Sequence, residues 1–329
     1  MNNYVMNSLE NGLVSFSLVS ILILSSITIV LLDERKSGHD VVYVYIEDDL
    51  NLDESDSYES LSRDEVARVA SFNIKVFGDK KMSNETIVTE LVEIFHNYDF
   101  VAVQEIKDID EEVPFLFLEK LNQKYWNSSN KSLQWKMVLS ERSGKQEDDL
   151  NSQEQYAFYY KPTVFKLLKE GMLYDDEQND SFQREPFLAK FMILDMNGNE
   201  TGTDIIFVNI HTKPTLAVEE MRALGDVLSW AQSNYSVDDD YVILGDLNAD
   251  CSYASYSEIV NLEINSDDYK WIIPDNADTT VGDSRCAYDR IITSSDLDGR
   301  LTGEWGVHQE ISGSSISDHK PVWFEIMRV

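Results

Sequence analysis

The sequence is short of cysteine and of basic residues. Its 329 residues include only two cysteines, Cys251 and Cys286. A Cys–His zinc cluster is absent, so a structural zinc site is excluded. Taken alone, the pair is compatible with one disulfide in an oxidising compartment or with two buried free thiols. Against 60 acidic residues stand 27 Lys and Arg, for a formal net charge of −33. That balance excludes a simple electrostatic nucleic-acid binder, whose affinity comes from neutralising phosphates. Nucleic acid would approach such a chain through metal cations, and otherwise the charge serves solubility. No repeat of fixed period is present either. Apolar residues are in ordinary supply, at 43% with 16 Tyr, 14 Phe and 6 Trp, enough for a packed core.

The chain divides by composition. Leu13 to Leu32 is uncharged and almost wholly apolar, and twenty such residues suffice to span a bilayer as a helix. Residues 1–32 therefore read as a hydrophobic leader, either a signal peptide or a membrane anchor. No Lys or Arg precedes the apolar run, no small-residue cleavage site closes it clearly, and Arg35 and Lys36 follow it. Residues 33–66 hold 12 acidic and 3 basic residues, net −9, and read as a solvated acidic linker, with VVYVYI at 41–46 as a stray strand. The remaining core, 67–329, still carries net −23.

From Ala67 onward, short runs rich in β-branched and aromatic residues (VARVASFNI, DFVAVQEI, IIFVNIH, YVILGDLN and others) alternate with amphipathic stretches. SNETIVTELVEIFHNY, capped by Ser83 or Asn84, and LAVEEMRALGDVLSWAQSNY are the clearest helices. The pattern is α/β with more strands than a simple doubly wound domain needs. It fits a two-sheet sandwich flanked by helices.

Several strands finish on polar residues: Asn73, Glu105, His211, Asp246 with Asn248, and Asp318–His319 just before the last strand. Each alone is more often a turn former or a satisfied structural group. Together, Glu105, Asp246, Asp318, Asn73 and Asn248 make a set of oxygen donors suited to Mg²⁺ or Mn²⁺. Two histidines beside them suit proton transfer at neutral pH. Phosphodiester hydrolysis needs these parts.

At these residues the chain closely resembles deoxyribonuclease I, within the endonuclease/exonuclease/phosphatase superfamily. SFNIKVFGDKKMSN, YDFVAVQEIKD, NDSFQREP, GDLNADCSY, IPDNADTT, CAYDRI and ISDHKPV carry the resemblance, across 67–329. It implies a four-layered sandwich of two mainly antiparallel β-sheets with helices outside, acting on DNA to leave 5′-phosphate and 3′-hydroxyl ends. It further implies that His319 with Asp289 deprotonates the attacking water and that His211 with Glu154 protonates the leaving oxygen. Glu105 and Asn73 would hold the catalytic metal, with Asp246, Asn248 and Asp318 around the phosphate. Arg184, Lys107, Tyr253 and Tyr288 would meet substrate. Structural Ca²⁺ is implied at Asp278 and Thr280, and at Asp176, Asp180 and the Phe182 carbonyl. A Cys251–Cys286 disulfide and a monomeric state follow from the same resemblance. The sequons at Asn84 and Asn179 point to a secretory route, with the catalytic domain secreted or held on the luminal or extracellular side.

The chain also departs from that family. The region matching that family's minor-groove loop reads ERSGKQEDDLNSQEQ, longer and more acidic, in which Glu147, Asp148 and Asp149 would face phosphates unless they fold away and Ser152 stands where a tyrosine is expected. Lys107 stands where an arginine fork would be. The actin-contacting segment differs, so actin binding is unsupported. Two other readings compete: a phosphodiesterase or phosphatase acting on a lipid or small phosphate ester, and a non-enzymatic interaction protein.

Overall fold

The computed structural model describes residues 18–23, 26–33, 40–46, 61–144, 153–235 and 240–329. It comprises two compact units, 1–60 and 61–329. In the first, β1 (Leu18–Ile23), β2 (Ser26–Asp33) and β3 (Asp40–Ile46) form an antiparallel meander. The apolar run at 13–32 is thus a β-hairpin where it is described, not a helix, in keeping with its Val and Ile content. No described helix is long and apolar enough to cross a membrane. The stray strand expected at 41–46 is β3, and it is paired to β2.

The second unit begins earlier than the composition suggests. Residues 61–66 are tied down: Arg63 pairs with Asp99 at 2.7 Å and Arg328 donates to the Asp64 carbonyl at 3.1 Å. The strands that follow are β4 (Val66–Phe77), β5 (Phe100–Ile106), β6 (Lys136–Leu139), β7 (Gln155–Tyr160), β8 (Phe165–Leu173) and β9 (Phe187–Leu194). Then come β10 (Glu200–His211), β11 (Tyr241–Asp246), β12 (Tyr269–Trp271), β13 (Asp289–Ser294), β14 (Leu301–Val307) and β15 (Val322–Met327). They make two six-stranded sheets, ordered β14-β15-β4-β5-β7-β6 and β12-β13-β11-β10-β9-β8. Only β4/β5 and β10/β11 are parallel, so both sheets are mainly antiparallel, as expected.

Period-two alternation sorts each strand between two cores. Along β4, Ala67 and Val69 face the other sheet, while Ala70, Phe72 and Ile74 face α2 (Glu85–Phe95), which follows the one-turn α1 (Asp79–Met82), and α3 (Val113–Ser128). Along β10, Ile205 and Phe207 face inward and Ile206, Val208 and Ile210 pack on α4 (Ala217–Tyr235). Asn84 caps α2 by accepting from Thr86 and Ile87 N–H. The result is the four-layered helix–sheet–sheet–helix sandwich. Between the sheets, Phe100 stacks on Phe207 at 4.2 Å and Phe158 on Phe187 at 5.2 Å.

Candidate active site

The inward face of each central strand is apolar at one end and polar at the other. In β4 the inward series runs Ala67, Val69, Ser71, Asn73; in β10 it runs Ile205, Phe207, Asn209, His211. Buried amides continue the inter-sheet contact where the phenyl rings stop. Gln104 donates to Asn209 Oδ1 at 2.6 Å and to Ser71 Oγ at 3.1 Å, and Asn209 returns a bond to the Val103 carbonyl at 3.1 Å. This polar seam fixes how the two sheets register, because leaving buried amides unpaired is costly. Beyond it lies the cluster of candidate catalytic residues.

Register does the rest. His211 pairs with Asp246 across β10/β11, and Asp246 pairs with Asp289 across β11/β13. Three functional side chains therefore stand side by side on adjacent strands. Gly245 permits this approach, since a Cβ there would lie 1.8 Å from the Ile210 carbonyl oxygen. In β4 and β5 the register shifts between Asn73 and Phe77 and between Val103 and Ile106. These bulges re-aim side chains. Lys75, Val76, Glu105 and Asn248 all take positive φ, between 38° and 61°. Such conformations cost about 1–2 kcal/mol for a side-chain-bearing residue, and here they turn backbone donors onto ligand oxygens. Val76 N–H reaches Glu105 Oε2 at 2.9 Å and Lys75 N–H reaches Asn73 Oδ1 at 2.9 Å.

Two histidine–carboxylate pairs face one another. His211 Nδ1 lies 2.7 Å from Glu154 Oε1, and His319 Nδ1 lies 2.9 Å from Asp289 Oδ2. Each carboxylate fixes its imidazole so that Nε2 points into the site. Both Nε2 atoms converge on Asp246 Oδ2, at 3.5 Å from His211 and 3.4 Å from His319. Asn73 Nδ2 also reaches that oxygen, at 3.0 Å, and Glu105 Oε1 at 3.1 Å. Asn73 is thereby a brace between two carboxylates, with its carbonyl oxygen spent on Lys75 N–H. Asn248 is a brace too: its Nδ2 donates to the Thr212 carbonyl at 3.1 Å.

The two pairs sit in opposite fields. Burial opposes charge on Glu154, yet His211, Arg184 and Lys107 overcome it and hold its carboxyl below the ordinary range. Burial likewise opposes charge on His319, but Asp289, Asp246 and Asp318 outweigh it and raise the imidazole to about 10. Asp318 Oδ2 is paired with Lys75 Nζ at 2.5 Å, while its buried Oδ1 has no hydrogen-bond partner. Asp318 Oδ1 and Asp246 Oδ2 lie 4.0 Å and 3.4 Å from the same His319 Nε2, and Glu105 shares the Asn73 amide with Asp246; carboxylate oxygens, one of them buried without a hydrogen bond, are the donor chemistry a hard divalent cation takes, so the residues fit the metal that the chemistry implies.

Other expected residues are placed differently. Arg184 is 6% exposed. Its Nε lies 3.0 Å from the His211 carbonyl and 3.1 Å from Glu154 Oε1, and its Nη2 reaches the Thr212 carbonyl at 3.0 Å. It lies under the His211 backbone, where it supplies a counter-charge to buried Glu154. Lys107 Nζ is 3.9 Å from Glu154 Oε2 and partly exposed. Tyr253 and Tyr288 rings pair at 5.4 Å, and Tyr288 lies 6.4 Å from the His319 ring. Glu147, Asp148, Asp149 and Ser152 lie outside the described residues, which stop at a Ser143–Glu154 bridge on either side. Cys251 and Cys286 form the disulfide, with Cα atoms 5.9 Å apart.

The two loops expected to hold calcium diverge. Asp176 is buried, with Oδ2 accepting from Phe182 N–H at 2.8 Å and Oδ1 unpartnered, and Asp180 is exposed two residues before Phe182. At the other, where calcium is also expected, Asp278 Oδ2 is 2.9 Å from the Lys320 ammonium, and Thr280 Oγ1 bonds Asp278 Oδ1 at 3.0 Å. Sequence reasoning also passed over Glu220. Wholly buried on α4, it accepts from Gln183 and Lys213 N–H, both at 3.1 Å, and burial raises its carboxyl to about 7. A glutamate on the apolar face of a helix was the available signal.

Comparison with known proteins shows the family. A profile of the Endonuclease/Exonuclease/phosphatase family matches residues 70–319. Deoxyribonuclease-1 of Bos taurus is 34% identical over 271 residues, covering 78% of this chain and 90% of that protein. The chain belongs to the endonuclease/exonuclease/phosphatase family, in its deoxyribonuclease I branch. Deoxyribonuclease-1 of Mus musculus is 32% identical over 278 residues, covering 80% and 92% of the two chains. Among solved structures, D. rerio TDP2 complexed with single strand DNA product superposes with a TM-score of 0.52 at 14% identity, covering 80% of this chain and 99% of that one. A family protein from Leptotrichia buccalis gives 0.53 at 17%, covering 79% and 99%. At those identities the structures speak for the fold alone.

Proposed function

We propose that this chain is a divalent-metal-dependent endonuclease that hydrolyses DNA to 5′-phosphate and 3′-hydroxyl ends. One observation carries the reading: two imidazoles, each oriented by its own buried carboxylate, aim Nε2 at a single oxygen of Asp246. A phosphate seated there has one imidazole on each side, as in-line displacement requires. His319 takes the proton of the attacking water and Asp289 stabilises the resulting imidazolium. His211 gives its proton to the 3′ leaving oxygen, with Glu154 holding its ring. Glu105, Asp246 and Asp318 would hold Mg²⁺ or Mn²⁺, with Asn73 and Asn248 bracing them. Bound there, the cation would supply positive charge for the developing phosphorane. Its charge would offset the field of Asp246 and Asp318 that, with Asp289, holds the proton on His319, as work as a base requires.

This reading suits the acidity of the chain, because the duplex meets a cation-loaded site and not a basic surface. Tyr253, Tyr288 and Lys107 are the substrate contacts. The Cys251–Cys286 disulfide and the exposed sequon asparagines Asn84 and Asn179 support passage through the secretory route. Supercoiled plasmid supplies the test. The full chain nicks it in Mg²⁺ and Ca²⁺, EDTA stops the reaction, and His211→Ala lowers the rate about 10²–10⁴-fold. Equal rates for wild type and variant overturn the mechanism. Release of phosphate from a lipid or inositol ester, with intact plasmid, overturns the substrate.

A further inference from the structure

The Asp278 loop lies against the segment that carries the proposed base. Lys320 N–H donates to the Thr279 carbonyl at 2.7 Å and Val281 N–H to the Asp318 carbonyl at 2.8 Å, with Thr280 bridged to His319. Whatever holds residues 278–281 in place therefore holds Asp318 and His319 too. The resemblance leads one to expect calcium here, and calcium takes six to eight oxygens.

The oxygens of this loop are already committed. Lys320 Nζ lies 2.9 Å from Asp278 Oδ2 and 3.4 Å from the Asp278 carbonyl. Asp278 Oδ1 accepts from Thr280 N–H at 3.2 Å and from Thr280 Oγ1 at 3.0 Å, and Thr280 Oγ1 is 2.5 Å from the Ser284 carbonyl. The Lys320 side chain is 13% exposed and that of Asp278 34%, so the pair is partly withdrawn from water. A compact ammonium with three donors can sit among carbonyl and carboxylate oxygens much as a bound cation does.

We propose that Lys320 is the resident cation of the Asp278 loop, occupying the place of a calcium ion. The clamp on the Asp318–His319 segment is then built into the chain. A bound ion stabilises only in proportion to its concentration, whereas a lysine holds the loop at any calcium level. The Asp176 loop, with its unpartnered Oδ1, keeps the cation-binding character that this loop has given up.

Equilibrium dialysis of the full chain against calcium alone, in magnesium-free buffer, tests this directly and is independent of the reaction proposed above. Wild type and Asp278→Asn should bind the same number of calcium ions, and calcium should raise the Tm of both by the same increment. Lys320→Met should bind one ion more than wild type, since it frees the Asp278 carboxylate and carbonyl. Loss of one ion in Asp278→Asn would make Asp278 a calcium ligand despite Lys320, and the proposal fails. A folded Lys320→Met that binds no additional calcium defeats it equally. Should Lys320→Met not fold, the comparison of wild type with Asp278→Asn still decides.

Discussion

The two histidine pairs look alike in outline and differ in their surroundings. His211–Glu154 is backed by cations, Arg184 at 3.1 Å and Lys107 at 3.9 Å from the carboxylate. His319–Asp289 is backed by acids, with Asp246 3.4 Å and Asp318 4.0 Å from Nε2. One motif thus stands in two fields, and surrounding charge is what separates the proton affinities of like groups. Under the proposed mechanism, the cation-backed pair supplies the acid, and the acid-backed pair is the one whose excess negative charge a metal would offset. The supports differ as well. Glu220, a buried carboxyl, secures the backbone around His211, whereas Ser317 Oγ, bonded to the Asn73 carbonyl at 2.7 Å and accepting from His319 N–H at 3.0 Å, secures the other side.

The contrast can be broken most sharply by removing the rings. His211→Ala and His319→Ala should each reduce plasmid nicking about 10²–10⁴-fold. The double variant should be little worse than either, because residues acting as a unit are not additive. Multiplying losses in single-turnover assays would mean the pairs work independently.

Removing the orienting carboxylates comes next in size. Glu154→Gln and Asp289→Asn should each cost about 10–100-fold. They should differ in one respect: Asp289→Asn raises the magnesium concentration giving half-maximal rate, because it thins the acidic cluster, and Glu154→Gln leaves that concentration alone. A magnesium titration giving identical shifts would erase the distinction between the two sides.

The supports can be told apart by pH. Glu220 releases its proton near 4.5 in the unfolded chain and near 7 in the folded one. The folded state binds more protons across that interval, so stability is fullest below 4.5 and falls as pH rises through 7. The loss is about 3 kcal/mol at most. Denaturant melts should show wild type weakening from pH 5 to 8 and Glu220→Gln doing so much less; parallel slopes would remove Glu220 from the account. The smallest effect belongs to Lys107→Met, whose partly exposed ion pair is worth under about 1 kcal/mol. It should leave kcat within about 3-fold and raise KM for duplex DNA; an unchanged KM would show that Lys107 does not meet substrate.

Much of the site was legible because it follows strand ends. Asn73, Glu105, His211 and Asp246 each close a recognisable β run, and period-two alternation puts Asn73, His211 and Asp246 on the inward face. Glu105 breaks that alternation and reaches the site through a bulge at φ 61°, a backbone choice no hydrophobic pattern reports. Arg184 is buried against Glu154, thirty residues earlier, a contact no local pattern reports. Lys320 was invisible as a calcium substitute for the same reason: Asp278 is 42 residues away in the chain. In the apolar run at 13–32 the described residues from 18 on are strands, and composition alone does not separate a helix from strands of β-branched residues.

The α/β alternation, the inward polar ends of the central strands, and the residue types of the proposed metal-assisted phosphodiesterase can be read along the chain, because those depend on periodicity and chemical type. Which charges surround each histidine, which oxygen of Asp246 both rings share, and which loop has a lysine in place of an ion emerge on folding. Those are contacts between segments far apart in the chain, fixed by sheet register and inter-sheet packing, to which local sequence is blind.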